Sequence, residues 1–271
     1  MTQAILERNN VTILGQGEKP IIFAHGFGCD QRFWRLVTPA FEDEYRIILF
    51  DYVGSGKSDQ RAYKPERYRA LNGYAQDVIE ICDALALEDV VFVGHSVSSI
   101  IGILASFQAP KRFRHLILIG ASPSYFNDPP DYMGGYESAD IAGLLDMMEK
   151  NYMGWANFVA PAAMKNANRP ELAHELEQSF IATDHAIMHE FAAATFLADY
   201  REVLPRVNIP SLIMQTADDM FVPLEVAHYL HRQLPVSTLA CMQATGHFPH
   251  LSAPTETIAV IQTYLDKVRA N

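Results

Sequence analysis

Short apolar runs, often β-branched, recur along most of the chain and are separated by stretches with helical spacing. The runs lack the polar alternation of half-exposed strands, which is typical of strands buried on both faces of a parallel sheet. They occupy residues 21–24, 47–50, 90–93, 116–119 and 212–214, with a weaker run near 239–242. Residues 74–85 and 98–107 are compatible with helices. The pattern therefore predicts repeated strand–helix–strand units and a mostly parallel α/β sheet flanked by helices.

The pattern changes between residues 122 and 204, where turn-forming residues come first and no comparable strand run follows. Helical spacing of apolar side chains occurs there over residues 141–148, 172–180 and 187–195. The strand pattern resumes at residues 209–212. We therefore predict a core domain formed by residues 1–121 and 205–271, with a helical cap subdomain of residues 122–204 inserted into it.

Composition fits one large globular domain and excludes some classes of partner. The chain has 271 residues, 49% of them hydrophobic and 20% charged, so a sizeable core can form. The formal net charge of -11 argues against binding to nucleic acid or to an anionic membrane. Because the first residues do not resemble a secretory leader and no run approaches about 20 apolar residues, we expect a soluble, cytoplasmic protein.

The strongest candidate for chemistry is the segment Gly94-His95-Ser96-Val97-Ser98, which joins a predicted strand to a predicted helix. In a nucleophile elbow, a sharp turn exposes the serine Oγ, and small neighbours let strand and helix approach closely. Gly94 meets that need, whereas Ser98 stands where the G-x-S-x-G pattern has its second glycine. Serine is also a small residue, so the segment still predicts Ser96 as a nucleophile.

A serine nucleophile needs a base to accept its proton and a carboxylate to orient that base. On a strand-to-helix elbow the chain order is serine, acid, histidine. This chain supplies that order, since Asp218 and Asp219 follow the predicted strand at 212–214, and His247 follows the weaker run. Both segments lie just past strand ends, where the sites of open α/β sheets form. The order predicts an α/β-hydrolase fold with a Ser-His-Asp triad.

Two positions in this predicted triad have neighbours that compete with them. Asp219 is favoured over Asp218 because it lies four residues before a proline, as the acid does in a common form of this loop. Asp218 would then be a solvated turn carboxylate. His247 is favoured over His250 because the preceding glycine frees the loop to bend toward the serine, which leaves His250 as a packing or hydrogen-bonding residue.

The oxyanion of an acyl-transfer reaction needs backbone donors, one following the nucleophile and one from an early loop after a strand. Val97 provides the first N–H. The glycine-rich segment at residues 25–28 directly follows the predicted strand at 21–24, so Phe27 is the candidate for the second.

Several other chemistries are excluded by single positions. A phosphate-binding loop around Gly56-Lys57-Ser58 would need glycine at position 51, where the chain has Asp51. Dehalogenases and epoxide hydrolases of this fold would need aspartate in place of Ser96. The three cysteines, Cys29, Cys82 and Cys241, are far apart and lack metal-ligand spacing, which favours reduced thiols. No motif for a metal or a cofactor occurs, so we expect neither.

Together these motifs resemble the small α/β-hydrolase family that contains a bacterial stress-response sigma-factor regulator and the plant strigolactone and karrikin receptors. The resemblance runs almost end to end and is carried by residues 26–28, 51–56, 94–98, 127–128, 147–152 and 246–250. Ser98 resembles the plant receptors, whereas the bacterial regulator has glycine there. Most of the other positions in the sequence resemble the bacterial regulator.

The resemblance implies a four-helix, V-shaped cap over a deep apolar pocket, slow hydrolysis of small hydrophobic ligands, and a partner protein. By the same resemblance, the pocket-lining positions are Phe27, Tyr125, Tyr136, Val159, Phe196, Met220 and Phe221. Plant members often have phenylalanine at the positions of Tyr136 and Val159, which leaves the size and polarity of this pocket open. From the sequence alone, each of the seven residues fits a place in the hydrophobic core.

Two functions remain open at this point. The first is a metabolic carboxylesterase or lactonase that acts on a small hydrophobic ester or lactone. The second is a ligand-sensing signalling protein in which the same triad hydrolyses a ligand slowly and the cap surface contacts a partner protein. Hydrolysis of a carbon–carbon bond by a similar triad also stays open, because only the pocket would decide it.

Overall fold

The computed structural model describes residues 2–270 and has a central seven-stranded sheet. The strands are β1 (Thr12–Leu14), β2 (Lys19–Ala24), β3 (Tyr45–Leu49), β4 (Val90–His95), β5 (Phe113–Ile119), β6 (Asn127–Asp128), β7 (Tyr132–Met133), β8 (Ser211–Gln215) and β9 (Ser237–Cys241). The sheet order is β1-β3-β2-β4-β5-β8-β9, and β6 pairs with β7 separately. Only β1 in the large sheet runs antiparallel to its neighbour. The predicted parallel α/β sheet is confirmed.

In the described part of the chain, eleven α-helices surround or extend the sheet. They are α1 (Thr2–Arg8), α2 (Pro65–Tyr68), α3 (Leu71–Ala84), α4 (Val97–Gln108), α5 (Ser138–Lys150), α6 (Tyr152–Met164), α7 (Pro170–Ile181), α8 (His185–Phe196), α9 (Leu224–Gln233), α10 (Pro249–Ser252) and α11 (Pro254–Arg269). None of the helices within residues 2–270 is both long and apolar enough to cross a bilayer.

Successive residues of the central strands face opposite sides of the sheet, so each strand contributes to two hydrophobic clusters. In β2, Ile22 packs into the cluster that contains α3, α4 and α9, whereas Ile21 and Phe23 pack into the one that contains α11. Strands β4 and β8 are buried along their whole length. This burial on both faces explains why the sequence shows continuous apolar runs rather than alternation.

Four helices, α5 to α8, lie in the chain between β7 and β8, and their buried side chains join the first of these clusters. Apolar spacing predicts three of them but not α6. In α6 the exposed Met153 and Phe158 add apolar residues away from the buried face, and Gly154 and Pro161 are unfavourable within a helix. The buried face of α6 is therefore diluted in the sequence pattern.

The N-terminal α1 and β1 are also absent from the sequence prediction. Helix α1 has no fully buried residue. Ile5 is partly buried against the first cluster, and Arg8 at the end of the helix forms ion pairs with Asp77 and Glu80. Strand β1 has three residues and none of them is fully buried. Neither element carries the apolar periodicity on which the prediction depends.

Candidate active site

The loops after β2, β4, β8 and β9 meet at one edge of the sheet, because these strands are parallel and end on the same side. Strand β3 lies on one side of β2, and the later strands β4, β5, β8 and β9 lie on its other side. The order in which the chain adds strands to the sheet therefore reverses at β2. Ligand sites of open α/β sheets form at such reversals, outside the carboxyl ends of the strands. Each residue predicted for the triad lies on one of these loops.

Ser96 occupies the sharp turn between β4 and α4. Its backbone has φ 55° and ψ -122°, a strained conformation for a residue with a side chain. The turn brings strand and helix so close that a Cβ on residue 94 would lie 2.6 Å from the carbonyl carbon of Ser98. Glycine is therefore required at Gly94, and the Ser96 N–H is fixed by a 2.7 Å hydrogen bond to the carbonyl of Ile119.

A continuous hydrogen-bond relay joins the three predicted triad residues. His247 Nε2 lies 2.8 Å from Ser96 Oγ, and His247 Nδ1 lies 2.7 Å from Asp219 Oδ2. With Nδ1–H donating to the carboxylate, Nε2 is free to accept the serine proton. The other carboxylate oxygen of Asp219 accepts the N–H groups of Phe221 and Val222 at 2.8 and 3.2 Å, which fixes the orientation of the carboxylate.

The two competing residues lie elsewhere. The side chain of Asp218 is 60% exposed and pairs with Lys165 at 2.9 Å, away from the histidine. The ring of His250 stacks on Trp34 with centroids 4.6 Å apart, and neither of its nitrogens has a hydrogen-bond partner among the described residues. The geometry thus favours Asp219 over Asp218 and His247 over His250.

The candidate oxyanion donors are the backbone N–H groups of Phe27 and Val97. Within residues 2–270, neither amide donates a hydrogen bond to a protein acceptor. The early loop is set by His25, whose Nε2 accepts the Tyr52 N–H at 3.2 Å and whose Nδ1–H donates to the Gly26 carbonyl at 2.9 Å. These contacts hold the loop beside the elbow and leave two backbone donors available.

Ser98 has a structural use that glycine could not supply. Its hydroxyl donates to the carbonyl of His25 and lies 2.9 Å from the hydroxyl of Tyr52. Because the single Ser98 proton is given to the carbonyl, the Tyr52 hydroxyl can donate to Ser98 in turn. Ser98 therefore ties the elbow helix to the loop that carries Phe27.

Above Ser96 lies a small, nearly filled cavity of about 20 Å³ with an almost entirely apolar wall. Its lining residues are Phe27, His95, Ser96, Tyr125, Leu144, Trp155, Val159, Phe180, Thr195, Phe196, Phe221, His247 and Phe248. Burial raises the pKa of Tyr125, so its hydroxyl remains protonated and the wall carries no phenolate. The chemistry of the wall suits an apolar ligand, and a cavity this small must widen to admit one.

Five of the seven predicted pocket residues line this cavity, and Tyr136 and Met220 do not. The packing of Tyr136 corrects the prediction that these two residues line the pocket. Its ring packs against Tyr125 at 6.4 Å, and its hydroxyl donates to the Met220 carbonyl at 2.5 Å. Tyr136 therefore supports the wall from behind, through its contact with Tyr125.

Sequence reasoning missed part of the wall. The missed residues are His95, Leu144, Trp155, Phe180, Thr195 and Phe248. Leu144, Phe180 and Thr195 lie on helix faces that the apolar spacing does predict. That spacing could therefore have identified these three as residues of the cavity wall. Trp155 lies on α6, whose face the spacing does not reveal. Its ring packs at 6.2 Å from that of Phe27.

Behind the relay lie two further buried histidines. His95 Nε2 donates to the His247 carbonyl at 2.7 Å, and its ring lies 4.5 Å from that of His250. Burial lowers the pKa of His95 well below its ordinary value and lowers the pKa of His250 to about 3. Both rings are therefore neutral at neutral pH.

This burial predicts acid-sensitive stability. Between pH 6.5 and about 3, the unfolded chain protonates His250 and the folded chain does not, so the free energy of unfolding falls as pH drops. At about pH 5 the loss is about 2 kcal/mol for this histidine. In urea unfolding at about pH 7 and pH 5, His250→Phe should lose less stability than the wild type by that amount. Equal losses would contradict the assignment.

Within residues 2–270, no group of three or more histidine, cysteine, aspartate or glutamate side chains is arranged to hold a metal ion. The three cysteines are free thiols; Cys29 and Cys82 are buried, and Cys241 is exposed.

Residues 19–254 match the family model described as alpha/beta hydrolase fold. The chain is 40% identical over 256 residues to the strigolactone esterase RMS3 of Pisum sativum, an alignment that covers 94% of this chain and 96% of that protein. It is 36% identical to the karrikin insensitive 2 receptor CA of Petunia hybrida, with 96% of both chains covered. The predicted resemblance to the plant receptors is confirmed.

A solved structure with high similarity is a hydrolase from Oleispira antarctica, with a TM-score of 0.95 and 43% identity over 98% of this chain and 97% of that one. An esterase from Exiguobacterium antarcticum, at 22% identity and a TM-score of 0.86, shares the fold over 94% of both chains. The sheet topology, the elbow and these matches agree: the chain belongs to the α/β-hydrolase family, and it is a hydrolase.

Proposed function

We propose that this hydrolase is a carboxylesterase or lactonase that acts on a small hydrophobic ester or lactone through an acyl-enzyme intermediate. The observation that carries the proposal is the relay from Ser96 through His247 to Asp219, which opens on an apolar cavity. The esterase names of relatives at up to 40% identity over nearly the whole chain support the same reaction class.

In the proposed first step, Ser96 Oγ attacks the carbonyl carbon of the ester while His247 Nε2 takes the hydroxyl proton. The negative charge on the carbonyl oxygen is stabilised by the N–H groups of Phe27 and Val97. Collapse of the tetrahedral intermediate breaks the bond to the alkoxy oxygen, which receives the proton from His247. An acyl group remains on Ser96; from a lactone, the new hydroxyl stays attached to it.

In the second step, His247 takes a proton from water as the water oxygen attacks the acyl carbon. The tetrahedral intermediate then breaks its bond to Ser96 Oγ, which receives the proton from His247, and the carboxylic acid is released. Asp219 holds the imidazole in one tautomer and stabilises the imidazolium that forms in each step.

We also propose that residues 122–204 form a cap that closes over this reaction. Trp155, Val159 and Phe196 from its helices line the cavity, and Ser96 is only 6% exposed. Such enclosure excludes bulk water and strengthens the electrostatic interactions at the oxyanion. It also implies that the cap opens to admit substrate and release product.

The second candidate function is ligand sensing, in which slow hydrolysis is coupled to a signalling partner that contacts the cap. The specific observation in its favour is 36% identity over 96% of the chain to a protein named as a karrikin insensitive receptor. An exposed apolar side chain on the cap, Phe158, offers a contact for such a partner. The three free cysteines support a reducing, cytoplasmic location for either function.

Turnover separates the two candidates. With a panel of short acyl esters and small lactones, a metabolic enzyme is expected to give sustained multiple turnover. A sensing protein is expected to give slow or single turnover, together with a ligand-induced fall in melting temperature. Ser96→Ala serves as the background control for every substrate. Hydrolysis at the same rate in both proteins, for every substrate, would contradict both candidates.

A further inference from the structure

We propose that the C-terminal turn of α6 positions the loop that carries the general base, and that Asn166 is a positioning residue for His247. This inference rests on the proposed hydrolytic function. It assigns to the cap a second use besides walling the cavity, because the same helix would determine where the base lies.

The first support is a backbone contact between cap and base. The N–H of His247 donates to the carbonyl of Ala163 at 2.8 Å. The last carbonyls of an α-helix have no partner within the helix, so they need donors from outside. The loop between β9 and α10, residues 242–248, carries His247 and is called the base-bearing loop here. It therefore caps the end of α6, and α6 fixes the backbone of His247.

Asn166 reinforces that contact with its side-chain amide. Nδ2 donates to the carbonyl of Met164 at 2.9 Å and to the carbonyl of Thr245 at 3.1 Å. It thus bridges the last residue of α6 and a residue two positions before His247. An amide with two N–H groups is the neutral side chain suited to satisfying two carbonyls at once.

The two segments are in close contact. A Cβ on Gly246, which has φ 85°, would lie 2.3 Å from the carbonyl oxygen of Met164. The chain also leaves α6 through two consecutive residues with positive φ, Lys165 at 54° and Asn166 at 48°. Such a conformation is unfavourable for lysine, and here it turns the chain toward the base-bearing loop.

The remaining contacts of the base-bearing loop come from the core. The carbonyl of His247 accepts from His95 Nε2 at 2.7 Å, and the N–H of Gly246 donates to the carbonyl of Asp218 at 2.7 Å. The backbone of His247 is therefore held by the core on its carbonyl and by the cap on its N–H. A displacement of α6 would move the imidazole relative to Ser96 Oγ.

Helix α6 also contacts the ligand space directly. Trp155 and Val159 line the cavity, and Val159 lies one helical turn before Ala163, which accepts from the base. A ligand that presses on this face would therefore act on the helix turn that holds His247. The arrangement links occupancy of the cavity to the geometry of the proton-accepting group.

The test compares Asn166→Gly and Asn166→Asp with the wild type and with Glu175→Gln. Glycine permits the positive φ and removes the whole amide, including the Oδ1 that accepts from Arg169 at 2.8 Å. Aspartate keeps an acceptor for Arg169 but places an oxygen, in place of Nδ2, against the two carbonyls. Glu175→Gln weakens a separate contact between α7 and Arg35 that does not touch the base-bearing loop. It therefore controls for a general loosening of the cap.

Misplacing a catalytic group by about 1 Å costs about 100-fold in rate, so we expect kcat to fall about tenfold or more in both Asn166 variants while KM changes by less than about threefold. Glu175→Gln should keep the wild-type kcat. The N–H of His247 should also exchange faster with deuterium in both Asn166 variants, relative to core amides. This second readout needs no substrate and does not follow from a uniform loss of stability.

Wild-type kcat and wild-type exchange at His247 in Asn166→Gly would overturn the positioning role. A rise in KM alone would overturn it as well, because that result indicates a contact that only closes the cap. Absence of Ser96-dependent hydrolysis in the wild type would instead refute the proposed function. In that case the exchange measurement still decides whether α6 holds the loop.

Discussion

Ser96→Ala is expected to lower kcat for every ester or lactone substrate by about a millionfold. Without Oγ no acyl-enzyme can form, and His247 has no hydroxyl proton to accept. The residual rate would come from water attack assisted by binding and by the donors at Phe27 and Val97. Initial rates at saturating substrate give this comparison directly.

The variant is expected to remain folded, so its inactivity would report chemistry. Alanine keeps the Cβ that Ser96 already carries at φ 55°, and the change removes only one hydroxyl and its hydrogen bond to His247. Thermal unfolding should therefore stay within a few degrees of the wild type, since a change of about 1 kcal/mol shifts the midpoint of a domain of this size by about 2 to 4 °C. Hydrolysis within about tenfold of the wild-type rate would contradict the assignment of Ser96.

Asp219→Asn is expected to lower kcat by about 10,000-fold. The amide oxygen would take the position that accepts the N–H groups of Phe221 and Val222, which leaves the NH₂ group facing His247 Nδ1. Because the NH₂ group can only donate, Nδ1 must act as the acceptor, and the single proton of the neutral imidazole then lies on Nε2. In that tautomer the imidazole cannot accept the proton of Ser96.

Asp218→Asn is the matched control, since it makes the same chemical change at the adjacent residue. Its carboxylate is 60% exposed and pairs only with Lys165, an ion pair of the kind that contributes little in water. Its kcat should stay within about threefold of the wild type. A large loss in Asp218→Asn, with activity retained in Asp219→Asn, would reverse the assignment of the acid.

Much of the fold follows from the sequence because the central strands are buried on both faces. Continuous apolar runs, such as the one that becomes β4, have few explanations other than a parallel sheet. Elements held by other forces were not predictable in this way. Helix α1 is held through ion pairs of Arg8, and the buried face of α6 is obscured by exposed apolar residues on its other sides.

The relay residues could be predicted because the topology fixes where strand ends lie. Ser96, Asp219 and His247 follow three strands whose carboxyl ends share one edge of the sheet, so chain order and loop position suffice. The cavity wall depends instead on how the cap helices pack, which explains the misplacement of Tyr136. The contact of Asn166 with the base-bearing loop is hidden from sequence analysis, because both of its acceptors are backbone carbonyls.

Covalent labelling with a fluorophosphonate tests whether Ser96 is a nucleophile activated by His247. Attack by an activated serine expels fluoride and leaves a stable phosphonyl group, so labelling does not depend on knowing the substrate. Intact-protein mass spectrometry is predicted to show one adduct on the wild type, mapped to the peptide that contains Ser96, and none on Ser96→Ala. An unlabelled wild-type protein, or equal labelling of both proteins, would show that Ser96 is not the activated nucleophile.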